Sequence, residues 1–84
     1  MKTLWESQPG DTVLVAQVDD RLPAVVLNRL GDIGIEPDAP LYCLRRSPFG
    51  GPLVVLVADC VYTLDQLIAS RIYLKAAAAG QGVN

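Results

Sequence analysis

Apolar and polar positions fall into short blocks along this chain, and turn residues separate one block from the next. Thr12-Val13-Leu14-Val15-Ala16-Gln17-Val18 follows a Pro9-Gly10 turn and is dense in β-branched residues, which predicts a first strand. Val26, Leu27, Leu30 and Ile33 then recur at helical spacing, so the segment from about 22 to 32 reads as an amphipathic helix. Asp19-Asp20 can cap that helix and Pro23 suits its first turn. Gly34 can take the left-handed conformation that ends it.

Past Gly34 the period changes to two. Pro37-Asp38 makes a tight turn into a second strand, Ala39 to Arg46, with Leu41, Cys43 and Arg45 on one face and Tyr42, Leu44 and Arg46 on the other. Pro48-Phe49-Gly50-Gly51-Pro52 reverses the chain, with Gly50 and Gly51 supplying permissive backbone angles. Strand three is expected over Leu53 to Ala58 and strand four over Cys60 to Leu64, with Asp59 at the turn between them. Leu67, Ile68 and Ile72 support a helical turn before a fifth strand, Ile72 to Lys75. The expected architecture is mainly β: a partly open, strongly bent five-stranded barrel whose closure hides the sheet edges. One helix lies between strands one and two, and a short helical turn precedes the last strand. The domain is expected over 1–75, with a flexible tail over 76–84.

Composition narrows what such a domain can do. Its 84 residues suffice for one small domain, and a 51% hydrophobic content supplies the dense core that this size demands. The longest apolar run, Leu53 to Ala58, is far shorter than the roughly 20 residues of a membrane span. Met1 to Glu6 lacks the apolar stretch of a signal peptide, so a cytoplasmic location is expected. The net charge of −2 argues against nucleic acid as a partner. Residues 1–40 hold three basic and seven acidic residues and residues 41–84 four basic and two acidic, a polarity of −4 against +2 suited to orienting a protein partner.

Chemistry is sparse. With no histidine, the commonest metal ligand and general base is missing. Asp19 and Asp20 are adjacent, but neighbours in a strand point opposite ways, and no carboxylate, imidazole or thiolate cluster forms a metal cage. Ser47 and Ser70 have no base, and Gly50-Gly51 lacks the lysine and spacing of a phosphate-binding loop. Cys43 and Cys60 both sit in apolar stretches and read as buried free thiols in a reducing cytoplasm. Neither an enzyme nor a bound cofactor is expected. Binding is.

Arg29-Leu30 through Gly34 and Pro37-Asp38, then Pro48, Gly50 and Pro52, then Leu53, Val55 and Val57, then Leu64, Ala69 and Ile72, follow one another in a specific order. With Leu4 and Pro9-Gly10, this series resembles the FeoA family, small cytoplasmic SH3-like proteins of bacterial ferrous-iron uptake. Asp38 and Asp59 stand where that family usually has glycine, and Asp65 where it has arginine. The resemblance implies an accessory protein that acts on the FeoB-type ferrous iron permease through its cytoplasmic GTPase domain. It would meet the membrane only through that permease, and self-association is a further expectation. A regulatory module related to the C-terminal domain of iron-dependent repressors is the alternative the same barrel allows.

In the family register Leu53, Val55 and Val57 point inward, so Val54, Leu56 and Ala58 should point outward as an apolar contact patch. Phe49, between Pro48 and Gly50 at a loop tip, suits a contact anchor.

Overall fold

The structure, a computed structural model, describes residues 2–76. Beyond Ala76, the expected tail lies outside the described residues. Five strands form a single antiparallel sheet: β1 (Thr12–Val18), β2 (Pro40–Arg46), β3 (Leu53–Val57), β4 (Cys60–Leu64) and β5 (Ile72–Leu74). Their order across the sheet is β4-β3-β2-β1-β5. Helix α1 (Ala24–Asp32) joins β1 to β2, and the single-turn α2 (Gln66–Ala69) joins β4 to β5. The sheet does not close, because β4 and β5 end it without pairing with each other.

Alternation sets the core. Leu53, Val55 and Val57 of β3 join Val15, Leu41, Cys43, Leu64, Ile72 and Leu74 in one cluster, which Leu4, Leu22, Leu30, Ile35 and Ala69 complete. The expected inward face of strand three is therefore observed. Pro23, rather than either aspartate, stands at the start of α1, where its carbonyl accepts from Val26 and Leu27. The end of α1 matches expectation in detail. Gly34 has φ +97°, its N–H donates to Gly31 and that of Ile35 donates to Leu30. These two bonds make a Schellman motif, and its hydrophobic contact places Leu30 and Ile35 together in the core.

Three turns use positive φ at residues other than glycine. Glu36-Pro37-Asp38-Ala39 is a type II turn, with Asp38 at φ +74° and the Ala39 N–H donating to the Glu36 carbonyl at 3.0 Å. Asp38 also pairs with Lys75 at the surface. Glycine at position 38 would relieve up to about 1 kcal/mol of backbone cost. The exposed ion pair is worth ~0–1 kcal/mol and is screened by salt. Asp38→Gly should therefore raise the thermal midpoint in concentrated salt, and a fall there would contradict the turn assignment.

In the second turn Phe49, at φ +58°, and Gly50 take the left-handed angles, while Gly51 does not. Gly51 is needed for space instead, since a Cβ there would lie 2.9 Å from the Ser47 Cβ. The third turn contains Ala58 and Asp59, at φ +46° and +71°. Two consecutive positive values between paired Val57 and Cys60 define a type I′ hairpin.

One irregularity inverts a predicted face. The pairing of β2 with β3 runs from Cys43↔Val55 to Arg45↔Val54, leaving Leu44 as a bulge. An extra residue reverses the alternation, so Arg46 rather than Arg45 stands opposite the core residue Leu53. Arg46 there stacks over Trp5, 4.7 Å from the ring centroid, and donates to the carbonyls of Trp5 and Ser7. Cys60 corrects a second expectation. It is exposed because β4 is an end strand, and only Cys43 is buried, where desolvation pushes its thiol pKa up.

Candidate functional site

The side of the sheet turned away from the core carries an apolar row. Tyr42 of β2, Leu56 of β3 and Val61 of β4 stand directly opposite one another in register, and Thr12 of β1 continues the row beyond Tyr42. Tyr42 is 37% exposed, Val61 is 59% exposed, and Leu56 between them is half-buried. Leu14 and the bulged Leu44 are further exposed apolar side chains on strands β1 and β2. Tyr42 and Val61 are open to water at the two ends of the row, where exposed apolar area costs about 25 cal/mol per Å².

The four residues expected to make contacts separate in this geometry. Leu56 is at the centre of the row. Val54 is a correction: it is 5% exposed although it lies outside the core cluster. Its cross-strand neighbours are Arg45 and Thr63, and a short side chain on a central strand is screened by the flanking strands. Ala58 is a second correction, since β3 ends at Val57 and Ala58 is the first central residue of the hairpin turn. It is exposed at the opposite end of β3 from Phe49. Phe49 is fully exposed, at 104%, on the loop between β2 and β3. Phe49 and Ala58 thus flank a strand roughly 15 Å long, with Leu56 between them.

A polar knot at the end of β1 is the feature that sequence reasoning missed. Asp19 is buried, its backbone N–H donates to the Arg71 carbonyl, and both its carboxylate oxygens accept from arginine. Oδ1 receives the Arg21 backbone N–H at 2.9 Å and Nε at 3.1 Å. Oδ2 receives Arg21 Nη2 and Arg71 Nη1, each at 3.0 Å, and the Tyr73 hydroxyl at 3.4 Å. Gln17, Val18, Asp20, Arg21 and Tyr73 line a pocket of about 340 Å³ beside it. The Asp19 expected to cap a helix instead ties β1 to β5. No local pattern could have shown this, because Arg71 and Tyr73 are more than fifty positions away in the chain.

The Arg21 side chain, then its backbone N–H and the Arg71 side chain, hold the Asp19 carboxyl well below the usual carboxylate range. A depressed folded-state pKa contributes stability above the unfolded value of about 3.9 and loses it as pH falls toward the folded one. The thermal midpoints of wild type and Asp19→Asn should therefore differ most near neutrality and converge progressively below about pH 4. A gap that stays constant into strong acid would show that the knot does not set it.

Among the described residues no group of His, Cys, Asp and Glu is placed to hold a metal ion. No described helix is long and apolar enough to cross a membrane. Comparison with known proteins identifies the family. The FeoA domain matches residues 2–76. The chain belongs to the FeoA family.

Solved structures agree with that assignment. FeoA protein from Chlorobium tepidum is 29% identical with TM-score 0.83, over 98% of this chain and 76% of that one. Stenotrophomonas maltophilia FeoA, a prokaryotic SH3 domain protein solved in complex with zinc, is 25% identical with TM-score 0.79. That match covers 92% of this chain and 93% of the other. A manganese-dependent transcriptional repressor is also similar, at 29% identity and TM-score 0.77, over 89% of this chain but 41% of the repressor. Comparison with curated proteins finds no match. The fold is SH3-like, and the family is linked to ferrous iron transport.

Proposed function

We propose that this FeoA-family chain is a non-enzymatic accessory of ferrous iron uptake that binds and modulates an FeoB-type permease from the cytoplasmic side. The observation that carries this reading is the apolar row Tyr42–Leu56–Val61, exposed at both ends, on a domain whose described residues place no group of His, Cys, Asp and Glu to hold a metal ion. An apolar row of this kind is a protein-contact feature. The Stenotrophomonas maltophilia relative is described as a candidate ferrous iron transport activating factor, which supports the same role here.

The contact set in this proposal is Leu56 with its row, and Phe49 at the loop tip. Val54 and Ala58 lie at the margins: Val54 is covered, and Ala58 is held in a turn. Titrating the chain into the permease's cytoplasmic GTPase domain by calorimetry tests the reading. Saturable binding is expected, and no heat or complex at high concentration would overturn it.

The similarity to the manganese-dependent repressor favours a second reading, a regulatory module of the kind those proteins carry. It would associate with a DNA-binding partner and leave the permease domain unbound.

A further inference from the structure

We propose that the free edge of β4 pairs with the β4 edge of a second copy of this chain, antiparallel and with Tyr62 on the two-fold axis. The two ends of the sheet are treated differently by the fold. At the β5 end, Leu74 donates its N–H to the Lys2 carbonyl at 2.8 Å and Tyr73 bridges to Thr3, so the N-terminal segment covers that edge. β4 pairs only with β3, and no backbone or side-chain group among the described residues bonds to its other side.

The hairpin geometry fixes which groups are free. In a two-residue type I′ hairpin the closing pair, here Val57 and Cys60, is hydrogen-bonded inward. Tyr62 and Leu64 then also bond toward β3, while Val61 and Thr63 turn both N–H and C=O outward. Sheet edges in natural proteins are commonly blunted by a charge, a proline or a bulge. Cys60-Val61-Tyr62-Thr63-Leu64 has no charge and no proline, and its pairing with β3 is regular throughout.

The occupant follows from charge and symmetry. A strand that meets itself antiparallel places like residues near like residues, so a charged edge would repel its own copy. This edge carries no charge to repel. With Tyr62 opposite Tyr62, Val61 faces Thr63 of the other copy, and both outward residues of each strand exchange their full set of bonds. Shifting the register by one pair in either direction leaves one of them opposite a residue beyond the strand. The row ending at Val61 would then meet Thr63 of the other copy on the same face of the joined sheet.

Two sets of variants test this, read by sedimentation as a function of concentration. Wild type should show a reversible monomer–dimer equilibrium. Val61→Lys with Thr63→Lys sets lysine against lysine twice across the axis and should weaken the dimer at least tenfold. Val61→Lys with Thr63→Glu sets opposite charges together and should retain it. The second set is oxidative cross-linking. Opposed Tyr62 positions form a non-hydrogen-bonded pair with Cα atoms about 4.5 Å apart, within disulfide range. Tyr62→Cys, in a Cys60→Ser background, should therefore cross-link. Wild type should not, since this register holds the two Cys60 residues about 13 Å apart along the strands. A strictly monomeric wild type, or a dimer indifferent to the lysine pair, overturns the proposal. So does a disulfide between two Cys60 residues without one at position 62.

Discussion

Gly34→Val should lower the free energy of unfolding by roughly 2–5 kcal/mol, combining ~1–2 for a left-handed residue with ~1–3 for overpacking. Gly31→Ala should instead raise it by about 0.5–1 kcal/mol, the ordinary helix preference for alanine over glycine. The two glycines are three residues apart but face different demands. Gly34 has φ +97°, and a Cβ there would stand 3.3 Å from Val57 Cγ1, in the middle of the core. Gly31 lies within α1 and has nothing within 4 Å of its missing Cβ. Urea denaturation of the two variants reads the contrast directly. Equal effects would mean that the Schellman motif does not hold α1 against β3.

The second large effect concerns association. Leu56→Glu should leave the fold intact and weaken binding to the permease's cytoplasmic domain by roughly tenfold or more, as loss of a buried contact residue does. Leu56 is half-buried, outside the core cluster, and sits between the exposed Tyr42 and Val61. A charge there disturbs no packed interior but cannot be buried by a partner without desolvation. Phe49→Ser should act in the same direction with no loss of stability, because Phe49 is fully exposed and its side chain packs on nothing. Circular dichroism separates the alternatives. If Leu56→Glu unfolds the domain, the face is interior and the contact assignment fails.

The sequence made some of this legible and hid the rest for identifiable reasons. β1 has the predicted limits, Thr12 and Val18, because β-branched residues bounded by Pro9-Gly10 and Asp19 leave little else possible. The end of α1 was legible because only glycine readily takes the angle required at position 34. The Leu44 bulge was not, since nothing in Leu-Tyr-Cys-Leu-Arg-Arg marks an extra residue, yet it turned Arg46 toward the Trp5 side. Ala58 read as strand because alanine carries no turn signal. Its φ of +46° is imposed by closure of the β3–β4 hairpin.

For the contact surface, the register of the resembling family placed Leu53, Val55 and Val57 inward, where the core cluster has them. Burial of Val54 and exposure of Cys60 depend on which strands lie at the sheet's ends, a property of topology that local sequence does not express. The Asp65 that departs from the family's arginine has a local role visible only in three dimensions. Its carboxylate accepts from the Ile68 N–H and caps α2.

Amide hydrogen exchange of the chain with and without the permease's cytoplasmic domain tests the central claim most directly, because it locates the contact as well as detecting it. The account predicts added protection on β3 and β4 around Leu56 and Val61 and in the Phe49 loop, with α1 unchanged. Protection confined to α1 or to the Asp19 knot, or none at saturating partner, would contradict it.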